Sequence, residues 1–170
     1  MKRPILSSIK DSPSEILLTR LAFLLVVGTA AWLALQWPAI PELIPSPFRK
    51  SGEMTLGPVL ASRNTLLAVP VLSVIQFLFL TWIRGLPHRH NYPVRITEEN
   101  APRQYALSRL ATAQIRAFLS ALLFWNSVQA TRLAVGLPRL IQSTDFEVVV
   151  ALGTLAAILA FHFRRALREG

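Results

Sequence analysis

The chain contains no cysteine, and only 16% of its 170 residues are charged. Without thiols, it cannot form disulfides, cysteine nucleophiles, Cys-ligated zinc sites or iron–sulfur clusters. A soluble domain carries about 25% charged residues, so this chain has too few charges to cover a water-facing surface. Because 52% of the residues are hydrophobic and the mean hydropathy is +0.44, we predict an all-α membrane protein.

Acidic residues are missing from the interior of every long apolar run. Carboxylates inside a membrane are the usual relays for protons and cations, so an ion-coupled transporter is disfavoured, and a small transporter remains a minor alternative. The sequence has no recognisable catalytic triad, paired aspartates, H-E-x-x-H motif or glycine-rich phosphate loop. His88 and His90 flank an arginine and have no acid or thiol beside them. We therefore predict no enzyme activity, no cofactor and no metal.

Uncharged runs predict four transmembrane helices in a single domain covering residues 1–170. A bilayer core of about 30 Å needs about 20 helical residues. The third run is bounded by Arg116 and Arg132, whose long side chains could reach opposite headgroup layers. A cytoplasmic helical extension is expected to lead into this third span. The predicted spans are about 16–37, 64–84, 114–134 and 147–163, and the extension is about 97–113.

Two segments have the S/T-x-x-E pattern of a capping box, in which the first and fourth residues satisfy free amides at a helix start. They are Ser12-Pro13-Ser14-Glu15 and Thr144-Asp145-Phe146-Glu147. A third helix start is predicted within Thr97–Asn100, where a capping residue is accompanied by acids that suit a first turn. In the second span, Pro70 favours a kink.

Lysine and arginine are distributed unevenly between the two sides of the predicted spans. Thirteen of the 18 fall on the side that holds both termini and the middle loop. By the positive-inside rule that side is cytoplasmic, which predicts an N-in, C-in protein of a bacterial inner membrane with anionic lipids as partners. The net charge of +9 then reflects topology, and we expect no nucleic-acid partner. A cleaved signal peptide is disfavoured, because its apolar core is usually about 7–15 residues.

Polar residues form one stripe along the third helix and its extension. Their spacings of 3, 4, 4 and 7 residues place them on one helical face. Small hydroxyl residues and arginines on such a face are typical of helix–helix packing, which is the favoured interpretation. The alternative is a polar seam that lines a groove or grips a partner helix. The stripe consists of Arg109, Thr112, Arg116, Ser120 and Ser127.

Prolines are concentrated in the stretch Trp37–Pro58, on the predicted outer side between the first two spans. Proline restricts its own backbone and that of the preceding residue, so an extended or turning, semi-rigid external loop is expected. The run Pro41 to Phe48, then Gly52-Glu53, then Ser62-Arg63 before an apolar segment forms a recognisable pattern. With the cytoplasmic run from Tyr92 to Tyr105, it resembles the bacterial membrane domain of unknown function, group sixteen-forty-eight, found in SdpI-type immunity proteins.

The resemblance covers roughly residues 20–135 and implies a multi-pass membrane protein. Immunity members protect a producing cell from a secreted peptide toxin and can recruit a regulator to the membrane. Pro47 stands where such proteins usually have histidine, and Arg63 stands where lysine is usual, so chemistry that depends on that imidazole is not implied.

We expect a non-catalytic accessory or partner-binding subunit of a membrane assembly, or a membrane sensor. The alternative is an SdpI-like immunity or signalling protein that meets a peptide ligand. In both cases the partner is expected to bind the external loop, which offers Pro41, Glu42, Pro45, Phe48, Gly52 and Glu53.

Overall fold

The computed structural model describes residues 10–45, 60–141 and 143–169. It is mostly helical, with four α-helices and one two-stranded ribbon in this part of the chain. The elements are α1 Pro13–Gln36, β1 Leu43–Pro45, β2 Leu60–Ser62, α2 Ala68–Arg84, α3 Ala101–Ala134 and α4 Thr144–Arg168, with short 3₁₀ turns at Trp37–Ala39, Arg63–Leu67 and Pro87–Arg89.

Helix α1 begins as its sequence predicts. The Ser12 hydroxyl accepts a hydrogen bond from the Glu15 amide at 3.2 Å, and the Ser12 amide donates to the Glu15 carboxylate at 2.8 Å. Pro13 occupies the first helical position, where its missing N–H costs nothing. The capping box at this helix is therefore confirmed.

The ribbon was not anticipated by the all-α prediction. β1 and β2 pair antiparallel, with Leu43 opposite Ser62 and Pro45 opposite Leu60. Two strands of three residues are marginal by themselves, and packing holds this pair. Buried side chains beneath it join the ends of α1 and α3, and they are Leu33, Ile40, Ile44, Leu66 and Ala134.

The second predicted span has two parts. A 3₁₀ segment at Arg63–Leu67 precedes α2, which begins at Ala68. Pro70 therefore lies in the first turn of α2, where no intrahelical N–H bond is lost. Pro70 thus marks the start of α2 and does not lie in the middle of a helix, where the sequence predicts a kink.

Helix α3 is continuous over 34 residues, about 51 Å at 1.5 Å per residue, so the extension and the third predicted span form one helix. Its N-cap is Asn100, which lies within the predicted start, but the predicted acids are not in its first turn. Residues 97–100 form a turn in which Thr97 and Asn100 bond to each other, and the helix begins at Ala101. The two glutamates at 98 and 99 therefore precede the first turn. The Thr97 carbonyl accepts a hydrogen bond from the Ala101 amide at 3.0 Å.

Helix α4 also begins differently from the sequence pattern. Its N-cap is Ser143, whose hydroxyl accepts from the Phe146 amide at 3.2 Å, so the capping box predicted at Thr144 and Glu147 is wrong. The Glu147 carboxylate bonds to α3 and to the α3–α4 connection instead. Contacts of Glu147 with other elements therefore replace the capping role that the local spacing predicts.

Three helical segments in the described residues are long and apolar enough to cross a membrane. They are Pro13–Ala39, Arg63–Arg84 and Thr144–Arg168. Large apolar side chains on all three face outward, for example Leu24, Leu78 and Leu152, which are each at least 60% exposed. α3 carries the polar buried residues and packs along α1 and α2 and, less extensively, α4. The outward faces of these three helices are thus apolar and most buried polar residues lie on α3, an arrangement that is compatible with a membrane protein.

Candidate functional site

The predicted polar stripe lies on the inner face of α3. Thr112, Arg116, Ser120 and Ser127 are buried, and Arg109 is largely covered. The Gln76 amide of α2 donates to the Ser120 hydroxyl at 2.7 Å. The stripe therefore contacts neighbouring helices of the same chain, which is the geometry of a packing seam.

Arg116 is fully buried at the junction of α1, α2 and α3. Its guanidinium donates to the hydroxyls of Thr81 (2.7 Å) and Thr19, and it lies 5.0 Å from the centroid of the Phe77 ring. Among the described residues, no carboxylate lies within ion-pair distance of it. The side chain does not extend to the outer surface of the bundle, as an arginine reaching a headgroup layer would, because hydroxyls inside the bundle hold it.

Next to Arg116, an ion cluster ties the start of α1 to the neighbouring helices. Glu15, only 2% exposed, lies 3.3 Å from both Arg84 Nη2 and Arg109 Nε. Asp11 pairs with the same two arginines, at 2.7 Å from Arg84. Burial lowers the pKa of the Arg109 guanidinium from its usual value, yet arginine stays protonated in proteins. The cluster holds two acids against two bases and leaves the Arg116 charge in excess.

A second acid, the partly buried Glu147, organises the opposite end of the α3–α4 pair. It accepts hydrogen bonds from Trp125 Nε1 at 2.8 Å and from Gln129 Nε2 at 2.9 Å, and it pairs with Arg139 at 2.5 Å. Gln129 also accepts from the Leu140 amide at 2.9 Å, which fixes the connection between α3 and α4. Sequence reasoning missed this network, and the only signal was a lone acid at the edge of an apolar run.

The two halves of the pattern that carries the family resemblance meet in the ribbon. The Arg63 amide donates to the Glu42 carbonyl at 2.9 Å, and its guanidinium donates to the Ile40 carbonyl at 3.1 Å. The same guanidinium lies 5.0 Å from the centroid of the Trp37 ring. Arg63, which the sequence singled out only as a departure, therefore fastens β1 to the start of α2.

The predicted partner-binding residues are only partly described. Pro41, Glu42 and Pro45 are exposed on or beside β1. Phe48, Gly52 and Glu53 lie outside the described residues, as does Pro47. Around the described part of the ribbon, Leu43 is 60% exposed and Leu60 is 52% exposed, which adds two apolar side chains to this surface.

Comparison of the chain with protein-family models, with curated proteins and with solved structures finds no match in any of the three.

Proposed function

We propose that the chain is a non-catalytic, four-span protein of a bacterial inner membrane that binds a partner membrane protein through the ribbon. In this proposal α3 crosses the membrane in addition to the three apolar helices α1, α2 and α4. Its buried polar groups are shielded by the apolar helices α1, α2 and α4. The protein then acts as an accessory subunit of a larger assembly or as a sensor.

The observation that carries the proposal is the way the ribbon is mounted. Ile44 and Ile40 are anchored in the core beneath it, whereas Leu43 and Leu60 are more than half exposed. Such a short strand pair would not persist without this anchoring. Exposed apolar side chains on a fixed support outside the apolar helices are typical of a protein-interaction surface.

The proposed contact can be tested by site-specific crosslinking in native membranes. A photoreactive amino acid at Leu43 should capture a specific membrane protein that also co-purifies with the full-length chain in mild detergent. Leu137 is the matched control, because it is an exposed leucine in the α3–α4 connection and lies outside the ribbon. Recovery of only the uncrosslinked monomer would overturn the proposal.

The alternative function is immunity or signalling in response to a secreted peptide. It is favoured by the joining of both parts of the SdpI-like pattern through Arg63, Glu42 and Ile40. Deleting the gene should then sensitise cells to a peptide toxin, and re-expression of a variant with Arg63→Ala should restore protection only weakly. Unchanged toxin sensitivity after deletion would reject immunity and leave the accessory role standing.

A further inference from the structure

At the end of the bundle away from the ribbon, two polar contacts tie α4 to α3. The Gln104 side-chain amide donates to the Ala166 carbonyl at 2.9 Å, and His162 Nε2 lies 2.7 Å from Gln114 Oε1. The α3 partners are ten residues apart, about 15 Å along a helix, but the α4 partners are only four apart, about 6 Å. The two ties therefore join unequal lengths of the two helices.

A cleft of about 180 Å³ lies in this region. A buried water needs only about 10–15 Å³ of such volume, so the cleft is larger than a single bridging water requires. Its walls combine apolar and polar groups from α3, α4 and the segment before α3. Its lining includes Tyr92, Gln104, Leu107, Ser108, Leu159 and His162.

Two buried polar atoms on these walls have no hydrogen-bond partner within the described chain: Gln104 Oε1 and His162 Nδ1. Gln104 is fully buried and His162 is 7% exposed. Both atoms are acceptors. The Gln104 oxygen can only accept, and His162 Nε2 must donate to Gln114 Oε1, which leaves Nδ1 of the neutral ring as an acceptor. Leaving two such acceptors unpaired is costly. Surrounding atoms cover both acceptors, so a donor reaches them only where α3 and α4 separate slightly at the cleft.

We propose that the α3–α4 cleft binds the primary ammonium group of an aminophospholipid such as phosphatidylethanolamine. An ammonium offers three N–H donors, enough for Gln104 Oε1 and His162 Nδ1 with one left over.

The bilayer is the source of this ligand because of where the cleft opens. Leu159 and Phe163 line it and are half exposed on the apolar surface of α4, where they would contact acyl chains. Arg164 and Arg165 follow immediately in sequence and are exposed, so cations that suit a lipid phosphate stand at the same level. A water-soluble amine would have to pass these apolar side chains to enter the cleft, which disfavours it as the ligand.

The test is native mass spectrometry of the full-length protein in detergent, titrated with phosphatidylethanolamine or phosphatidylcholine. The two lipids carry the same charge, but the choline headgroup has no N–H donor. We expect phosphatidylethanolamine to bind at least about tenfold more tightly, since hydrogen bonds to charged groups are worth about a factor of ten each. Equal binding of the two lipids, or binding of neither, would overturn the proposal and leave the cleft to water.

The variants Gln104→Met and His162→Phe keep side-chain bulk but remove the acceptors, and each should abolish most of the preference. Thr154→Val is the control, because Thr154 lies on α4 away from the cleft and bonds only to its own helix. Should the first two variants fail to fold, competition with soluble ethanolamine on the unmodified protein decides the case. Displacement at equal concentrations of ethanolamine and lipid would overturn the lipid as ligand, whereas lipid retention supports it.

Discussion

Arg116 shows how a buried charge can be retained where the described residues place no carboxylate within ion-pair distance of it. The two hydroxyls that hold it, Thr19 and Thr81, also donate to carbonyls of their own helices, at 2.7 Å in both cases. They would therefore remain hydrogen-bonded if the guanidinium were removed. Removing an unpaired cation from water is costly. Arg116 is therefore expected to lower the free energy of unfolding, and its presence points to a functional role.

We expect Arg116→Met to leave the free energy of unfolding unchanged or to raise it by about 1–2 kcal/mol. Arg116→Lys should lower it by about 1–3 kcal/mol, since an ammonium cannot reproduce the planar fork that reaches two helices. Thermal unfolding of the detergent-solubilised variants gives the order Met, Arg, Lys. A strongly destabilised Met variant would show that the guanidinium is structural after all.

For Glu147 we expect the opposite effect, because its carboxylate pairs with Arg139 and accepts hydrogen bonds from Trp125 and Gln129. Glu147→Gln removes the negative charge that faces Arg139 and weakens the acceptor for Trp125, and it should cost about 2–3 kcal/mol. Glu98→Gln, on the exposed turn before α3, should change stability by no more than about 0.5 kcal/mol. Comparable melting temperatures for the two variants would contradict the network described here.

At the scale of elements, a single serine side chain caps the start of α1 and of α4. Replacing Ser12 by alanine removes the acceptor for the Glu15 amide, and loss of such a cap costs about 1 kcal/mol. Ser14→Ala is the matched control, since Ser14 is exposed on the first turn of the same helix. The difference in melting temperature between the two variants measures the cap, and its absence would remove the capping box from the argument.

Helix α1 faces Phe124 of α3 at Gly28. A methyl group built there would lie 3.5 Å from the Phe124 ring, an ordinary contact. Gly28→Ala should therefore be neutral or stabilising by up to about 1 kcal/mol, whereas Gly28→Leu should destabilise by about 1–3 kcal/mol through overpacking. Thermal unfolding distinguishes the two, and equal tolerance would mean that α1 and α3 are further apart.

The positions of the four helices could be predicted from the sequence because charge-free runs and their boundary residues are local signals. The ribbon could not, since its strands are only three residues long and are held by contacts with α1 and α3. The sequence likewise does not reveal that Arg116 is enclosed by three helices or that Glu147 bonds to α3, since both depend on contacts between distant segments. The spacing of the polar stripe revealed a common face, but only the fold identifies Thr19 and Thr81 as its partners.

For the whole molecule, the absence of cysteine makes orientation directly measurable. Single cysteines at Leu43, Glu98 and Leu167, each exposed in the fold, give three sites on a chain with no background thiol. With both termini cytoplasmic, a membrane-impermeant maleimide applied to intact spheroplasts should label only the first. Labelling of the site at 167 from outside would reverse the proposed topology.

The polar inner face of α3 has a consequence for biogenesis. In the proposed four-span topology an isolated α3 would enter lipid poorly, because Arg116, Ser120 and Ser127 would face acyl chains and an arginine costs up to about 2.5–3.5 kcal/mol at the bilayer centre on insertion scales. On that topology we expect α3 to enter the bilayer only after it associates with α1 and α2, whose Thr19, Gln76 and Thr81 are its hydrogen-bond partners. Because α1 and α2 precede α3 in the chain, they are synthesised first, and the order of the helices along the sequence matches the order of assembly that we expect.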